Sequence, residues 1–233
     1  MRFRAVLFDA GETLVHPVPS FPEVFARIVA DAGHRCEPDD VVAASAIVME
    51  RFSEAAARDE RWTTSLDGSR RFWTGVYERM LWDLGLPAGD GLRESLYRGF
   101  TDLRNYGLFD DVVPALEGLA LTGRSLGVVS NYEPWLEDLL VSEGVADLLP
   151  VRVISGIEGI EKPDPRIYEL ALERTEVQAH EAVYVGDNPE FDVDPPAALG
   201  MFTVLIDRRD RHPDHAGARV TDLRDLVPLL DAR

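Results

Sequence analysis

An uninterrupted run of apolar positions lies close to the start of the chain. Ala5 to Phe8 are all apolar, and they lead directly to Asp9 and to the turn-forming Gly11. A short apolar run that ends at a turn predicts a strand buried on both faces, as in a parallel sheet. Asp9 would then lie at the carboxyl end of the strand, the edge where open α/β sheets bind ligands. An Asp that caps a helix or a turn is the alternative interpretation.

Between residues 16 and 106 the apolar residues instead recur every three or four positions, which is the spacing of amphipathic helices. One of these helices is expected to bury Phe72, Trp73 and Tyr77 in a core. No strand is predicted in this segment, so we expect an all-helical domain. The predicted helices cover about 20–33, 38–58, 69–84 and 91–103.

From Phe109 onward, short apolar runs alternate with helical patterns. This alternation is typical of βαβ units and predicts a parallel sheet. Residues 207–219 lack periodicity and are expected to form a surface loop. The predicted strands cover 126–130, 151–154, 182–186 and 202–206, and the predicted helices cover 111–122, 134–143, 165–174, 195–199 and 221–230.

The predicted fold class is therefore α/β, a Rossmann-like parallel-sheet core domain with an inserted all-helical cap domain. The core domain is discontinuous and comprises residues 1–15 and 107–233, whereas the cap comprises residues 16–106. Because the insertion follows the strand that ends at Asp9, we expect the cap to lie over the ligand crevice. A cap in that place would exclude water and select the substrate.

The formal net charge of −18 over 233 residues argues against nucleic acid and anionic membranes as partners. A site for an anionic substrate then needs a metal ion or local positive charge. Cys36 is the only cysteine, which is typical of a reducing compartment. We find neither a secretory signal nor an apolar run of the ~18 residues that a membrane helix needs. We therefore expect a soluble cytoplasmic protein, monomeric or homodimeric.

Only one of the 24 basic residues is a lysine, Lys162. Arginine and lysine are not interchangeable where a compact charge must fit a tight site. A chain that uses arginine elsewhere and lysine here indicates a specific role for that ammonium, although one exception is also compatible with chance.

Polar and charged residues follow the predicted strands or lie in adjacent loops. Each alone has a structural explanation, as a helix cap, a turn hydroxyl or a solvated charge. Together they supply a potential nucleophile, two carboxylates for a hard cation, a hydroxyl donor and an ammonium. These candidate site residues are Asp9, Ser130, Asn131, Lys162, Asp187 and Asp192.

The set and its order resemble the four sequence motifs of the haloacid dehalogenase superfamily, in the branch whose helical cap is inserted after the first motif. The resemblance covers nearly the whole chain. It implies that Asp9 is a nucleophile that accepts the phosphoryl group as an aspartyl-phosphate. It also implies that Ser130 and Asn131 bind the substrate and that Lys162 neutralises charge on Asp9 and the phosphate.

The same resemblance implies a Mg²⁺ cofactor. Its ligands would be Asp9, the backbone carbonyl of Gly11, Asp187 and Asp192, with Asp192 supporting either the metal or Lys162. Mg²⁺ suits a site with few carboxylates, several waters and a substrate oxygen. The implied reaction is hydrolysis of a small phosphorylated metabolite.

One position departs from the phosphatases of the superfamily. They carry a second Asp two residues after the nucleophile, as general acid and base, and that position here is Gly11. General acid–base catalysis contributes roughly 10²–10⁴ in rate. Three outcomes remain open: Glu12 replaces the missing Asp, the substrate has a good leaving group, or the protein binds phosphorylated ligands and catalyses weakly or not at all.

Two related chemistries can be compared with these residues. Metal-independent 2-haloacid dehalogenases also lack the second Asp, but Gly186-Asp187 resembles the metal-binding form of the fourth motif. Phosphonate-cleaving members use a cap lysine as a Schiff base, and residues 16–106 contain no lysine. A phosphatase is thus the first hypothesis, with a dehalogenase-type hydrolase and a non-catalytic binding protein as alternatives.

Overall fold

The computed structural model describes residues 2–58 and 60–233. The chain forms two compact units. One is discontinuous and consists of Met1–Val15 and Leu108–Arg233, and the other is His16–Gly107. A two-stranded sheet of β2 (Val15–Pro17) and β3 (Tyr106–Leu108) forms where the chain passes between the units.

The discontinuous unit contains a six-stranded sheet. Its strands are β1 (Ala5–Phe8), β4 (Ser125–Ser130), β5 (Val151–Ile154), β6 (Ala182–Gly186), β7 (Phe202–Ile206) and β8 (Ala218–Val220). The spatial order is β5-β4-β1-β6-β7-β8, and all neighbours are parallel. Strand order therefore reverses around β1, where ligand crevices of such sheets lie. The predicted α/β class with a parallel sheet is confirmed.

The helices divide between the two units. Those of His16–Gly107 are α1 (Phe21–Asp31), α2 (Pro38–Ala44), α3 (Ala46–Ala57), α4 (Leu66–Asp83) and α5 (Asp90–Gly99). Those of the sheet unit are α6 (Val112–Leu121), α7 (Leu136–Ser142), α8 (Ser155–Glu158), α9 (Pro165–Thr175), α10 (Asp194–Ala198) and α11 (Leu226–Asp231).

The strands at the centre of the sheet are buried because both of their faces carry apolar side chains. Every residue of β1 and β6 is buried, and each large side chain so placed contributes about 1.5–3 kcal/mol. Leu7 pairs with Gly127 on one side and with Tyr184 on the other. A Cβ on Gly127 would lie 2.8 Å from the Val151 carbonyl oxygen, so only glycine fits there.

The helical unit is built around aromatic side chains. Trp62 stacks on Phe72 with 4.3 Å between ring centroids, and Phe52 stacks on both. Phe72 and Tyr77 are buried, and Trp73 packs against the same cluster. The expected core role of these aromatic residues is confirmed. Ser20 caps α1 by accepting from the Glu23 N–H, as its position before the apolar repeat predicts.

Four local predictions were wrong. The helix predicted over residues 38–58 is broken at Ser45, whose hydroxyl donates to the Val42 carbonyl. Residues 16–106 were predicted to contain no strand, but β2 lies at the start of this segment and β3 at its end. Residues 207–219 are not simply a loop, since β8 begins at Ala218 and pairs with β7. The last helix begins at Leu226 rather than Thr221, after a 3₁₀ turn capped by Asp222.

These errors share a physical cause. Three-residue strands such as β2, β3 and β8 carry too few positions to show a period, and their pairing partners are distant in sequence. Polar side chains such as Ser45 and Asp222 also offer local hydrogen bonds that compete with a continuous helix. Within the described residues, no helix is both long and apolar enough to cross a membrane.

Candidate active site

Three adjacent strands deliver the candidate residues to one edge of the sheet. Asp9 follows β1, Ser130 is the last residue of β4, and Asp187 follows β6. The Asp9 N–H donates to the Val185 carbonyl at 2.8 Å, which extends the β1–β6 pairing to Asp9. The backbone of Asp9 is therefore fixed by the sheet itself.

Lys162 occupies the centre of this site. Its Nζ lies 2.6 Å from Asp9 Oδ1 and 2.7 Å from Asp192 Oδ1, and its side chain is 4% exposed. Ser130 Oγ donates to the same Asp9 Oδ1 at 2.9 Å. Burial alone would lower the pKa of Lys162, but the carboxylates of Asp192 and Asp9 outweigh burial and raise that pKa. The lysine is therefore a permanent ammonium.

The side chain of Asn131 positions Lys162 by hydrogen bonds to the Lys162 backbone. The Asn131 Oδ1 accepts from the Lys162 N–H at 2.7 Å, and its Nδ2 donates to the Lys162 carbonyl at 2.9 Å. Lys162 therefore binds both the oxygen and the nitrogen of the Asn131 amide. The structure places Asn131, which was predicted to bind substrate, in contact with the backbone of Lys162.

Three carboxylates converge at the same edge. Single oxygens of Asp9, Asp187 and Asp192 all lie within 4.8 Å of one another. Opposite ligands of one Mg²⁺ ion lie roughly 4 Å apart, which is comparable with the spread of these three oxygens. The donor set is made of hard, anionic oxygens, which are the ligands that Mg²⁺ prefers. The residues present fit the implied ion.

The charge balance of this group agrees with that fit. Burial, followed by the charges of Asp192 and Asp9, raises the pKa of Asp187 to about 8, although Arg211 opposes the rise. Burial also raises the pKa of Asp192 to about 6, against the effect of Lys162. The site holds more buried negative charge than its own cations neutralise.

Asp192 depends on a close approach that the sequence prediction missed. Its Oδ2 accepts from the Asn188 N–H at 3.0 Å, within the π-helical turn Pro189–Val193. A Cβ on Gly186 would lie 2.3 Å from Asp192 Cγ. Gly186 is therefore required for the carboxylate to reach Lys162, and its only sequence signal is a glycine at the end of a buried strand.

The turn after Asp9 carries the departure from the phosphatase pattern. Gly11 lies in this turn, and a Cβ there would meet Tyr132 Cε2 at 3.6 Å, an ordinary contact. Glu12 adopts a left-handed conformation with φ of 56°. Its carboxylate is ion-paired with Arg209, whose Nη2 lies 2.8 Å from Oε2. The metal role of the Gly11 carbonyl stays a prediction.

A second arginine contacts the site directly. Arg211 Nη2 lies 3.0 Å from Asp187 Oδ2. The sequence prediction missed both Arg209 and Arg211, because it assigned them to a surface loop. The available signal was a cluster of arginines in an otherwise acidic chain.

Comparison with known proteins agrees with this arrangement. The family model for haloacid dehalogenase-like hydrolases matches residues 3–200. A haloacid dehalogenase-like hydrolase domain-containing protein 3 from Danio rerio is 31% identical, over 99% of this chain and 96% of its own. A phosphoserine phosphatase from Thermus thermophilus is 33% identical, over 96% of this chain and 97% of its own.

A solved structure extends the similarity to the fold. The crystal structure of an L-2-haloacid dehalogenase superposes with a TM-score of 0.72 at 25% identity, covering 99% of this chain and all of the other. The chain therefore belongs to the haloacid dehalogenase-like hydrolases. The relatives include both phosphatases and dehalogenases, so membership alone leaves the reaction open.

Proposed function

We propose that this protein is a Mg²⁺-dependent phosphohydrolase that acts on a small phosphorylated metabolite through an aspartyl-phosphate on Asp9. The observation that carries the proposal is the convergence of Asp9, Asp187 and Asp192 within 4.8 Å around a buried lysine. A phosphoryl dianion cannot approach a carboxylate nucleophile unless cations surround both. The group has one such cation in place, Lys162, and its three carboxylates offer ligands for another.

The reaction would proceed by two displacements at phosphorus. An oxygen of Asp9 attacks phosphorus, so that an O–P bond forms as the ester O–P bond breaks and its electrons leave with the alcohol oxygen. Water then attacks the phosphorus of the aspartyl-phosphate and the O–P bond to Asp9 breaks, so that inorganic phosphate leaves with the oxygen and protons of that water and Asp9 is again a carboxylate. Mg²⁺, when bound, supplies positive charge to the phosphoryl oxygens.

The chain's own residues have distinct tasks in this scheme. Ser130 and Lys162 donate to Asp9 Oδ1, so both donors would lie beside the oxygens of an incoming phosphoryl group. Asp192 accepts from the same ammonium at 2.7 Å and holds it in place. Asn131 fixes the backbone of Lys162.

The missing carboxylate at position 11 sets the expected substrate preference. Gly11 cannot protonate a leaving group, so turnover should favour esters or anhydrides whose leaving group departs as an anion. The similarity to a phosphoserine phosphatase supports phosphate monoesters as the substrate class. Cytoplasmic location and a small-metabolite partner remain part of this proposal.

A dehalogenase reaction is the second candidate, and Gly11 is the observation that favours it. In that reaction Asp9 would attack the halogen-bearing carbon and halide would leave, without a metal ion. The three convergent carboxylates favour the phosphatase instead, because a metal-independent enzyme has no use for their excess negative charge.

One set of assays separates these functions. We expect turnover of acetyl phosphate and p-nitrophenyl phosphate that requires Mg²⁺, is abolished by EDTA and is lost in Asp9→Asn. Halide release from 2-chloropropionate in EDTA would instead establish the dehalogenase. If no activated phosphate is hydrolysed under any metal condition, the phosphatase proposal is wrong.

A further inference from the structure

The segment that follows β7, residues 207–212, is rich in arginine, although it also contains Asp207 and Asp210. Three of its residues are Arg208, Arg209 and Arg211, whereas the chain as a whole has a net charge of −18. The family model ends at residue 200, so it does not include this segment. Each of the three arginines nevertheless contacts the site or the turn after Asp9.

Arg208 anchors the start of the segment. Its guanidinium donates to both carboxylate oxygens of Asp111, at 2.8 and 3.0 Å, and to the Thr13 carbonyl at 2.7 Å. The guanidinium also lies 3.9 Å from the centre of the Phe109 ring. The Arg208 side chain is only 14% exposed. Such a bidentate ion pair fixes the relative orientation of its two side chains. The segment is thereby tied to the turn that follows the nucleophile.

Asp207 fixes the main chain that carries Arg211. Its carboxylate accepts from the backbone N–H groups of Arg211 and His212, each at 2.8 Å, and from Arg219 Nε at 3.0 Å. The Asp207 side chain is 1% exposed. The backbone at residue 211 is therefore held from inside the protein rather than free in solvent.

The side chain of Arg211 has unused hydrogen-bonding capacity beside the site. Among the described residues its guanidinium makes one hydrogen bond, to Asp187 Oδ2 at 3.0 Å, and the side chain is 41% exposed. A guanidinium carries five N–H donors, so four donors remain for other acceptors. A carboxylate has two oxygens, so Asp187 can hold Arg211 on one and a metal ion on the other.

Charge and distance together indicate which ligand the remaining donors would bind. Asp9 and Asp187 oxygens lie within 4.8 Å of each other and Arg211 donates to Asp187, so Asp187 links the arginine to the position where a phosphoryl group would meet Asp9. Three carboxylates offset the charges of Lys162 and a divalent ion, which leaves the two negative charges of a phosphoryl group without a counter-charge. Guanidinium groups match phosphoryl oxygens in geometry and charge.

We propose that Arg211 binds the phosphoryl group of the substrate, donating to a phosphoryl oxygen while it remains hydrogen-bonded to Asp187. This assignment rests on the proposed phosphatase function and adds a residue to it. Arg211 would act as a binding residue, so its loss should weaken affinity for the phosphoryl group while leaving metal affinity nearly unchanged.

Isothermal titration with inorganic phosphate, on full-length protein saturated with Mg²⁺, tests the assignment. We expect Arg211→Gln to raise the phosphate Kd roughly tenfold to a hundredfold, the effect of losing a hydrogen bond between charged groups. Arg211→Lys should recover part of that affinity. The Mg²⁺ Kd, measured separately, should change less than about threefold.

Arg224→Gln is the matched control. Arg224 is also an exposed, ion-paired arginine of the sheet unit, but its partner Asp222 lies two residues away in its own turn. We expect its phosphate and Mg²⁺ affinities to equal those of wild type. A phosphate effect of similar size in Arg224→Gln would mean that general surface charge, and not Arg211, is responsible.

Three results would overturn the assignment, and they differ from a failure of the proposed function. An Arg211→Gln variant with wild-type phosphate affinity removes the role of Arg211 alone, provided that wild type hydrolyses acetyl phosphate. A parallel loss of Mg²⁺ and phosphate affinity assigns Arg211 to positioning Asp187 instead. Wild-type protein that neither binds phosphate nor hydrolyses activated phosphates overturns both proposals.

Discussion

Gly186 and Asp192 approach so closely that a Cβ on the glycine would lie 2.3 Å from the aspartate Cγ. Real Cβ atoms do not tolerate that distance, so any side chain at position 186 must displace the carboxylate. The carboxylate in turn holds Lys162 at 2.7 Å. One glycine therefore controls the position of the central cation of the site.

Gly186→Ala should consequently impair the site more than the fold. We expect turnover of acetyl phosphate to fall at least tenfold and the Mg²⁺ Kd to rise, both measured on folded protein. Gly75→Ala is the control, since a Cβ at this position in α4 meets nothing within 4 Å. The control should be neutral or stabilising by about 0.5–1 kcal/mol. Wild-type Mg²⁺ affinity in Gly186→Ala would contradict the role of this contact.

Lys162→Met should destabilise the protein strongly. The substitution leaves Asp9 and Asp192 buried without their ammonium, and breaking a buried ion pair in this way costs about 3–5 kcal/mol. Urea unfolding without metal measures the loss. Lys162→Met combined with Asp192→Asn should recover part of the stability, because one uncompensated charge is removed. Simple addition of the two single effects would show that these side chains are not coupled.

Gly11→Asp should create the missing general acid. A Cβ at residue 11 meets Tyr132 Cε2 at 3.6 Å, so the backbone accepts a side chain without strain. We expect turnover of alkyl phosphates, which have poor leaving groups, to rise by up to roughly 10²–10⁴, and acetyl phosphate turnover to change little. The comparison variant Gly11→Asn has nearly the same shape but cannot transfer a proton. Equal gains in both variants would rule out acid catalysis as the cause.

Asp207 should stabilise the protein above about pH 4. Burial opposes ionisation, but hydrogen bonds from the His212 and Arg211 N–H groups and from Arg219 lower the pKa of Asp207 to about 2. A carboxyl with a lowered folded-state pKa contributes stability that is complete above its unfolded pKa, about 3.9. That stability is lost as the pH falls through the folded value.

The measurement compares wild type with Asp207→Asn in urea at several pH values. At pH 6 the variant should be less stable by about 2 kcal/mol or more, from a pKa difference of roughly two units. The gap should narrow between pH 4 and pH 2, where wild type loses its ionised carboxylate. A gap that does not change with pH would show that packing, and not ionisation, explains the effect of the substitution.

The architecture could be predicted because it depends on patterns within single segments. Continuous apolar runs and three-to-four spacing record which faces of each element are buried, so the alternation after Phe109 predicts a parallel sheet. Polar residues at strand ends then identify one edge of that sheet. Asp9, Ser130, Lys162 and Asp187 do meet there, because parallel strands bring their carboxyl ends to the same side.

What the sequence by itself determined is therefore the fold class and the residues that converge at the β1, β4 and β6 strand ends. Only the tertiary structure decided which side chains surround them. Asn131 clamps Lys162 rather than facing outward, Gly186 makes room for Asp192, and Arg211 reaches Asp187 across 24 residues of chain. Such contacts produce no periodic pattern in the sequence. Each depends on distances between segments that only the packing of the whole sheet unit brings together.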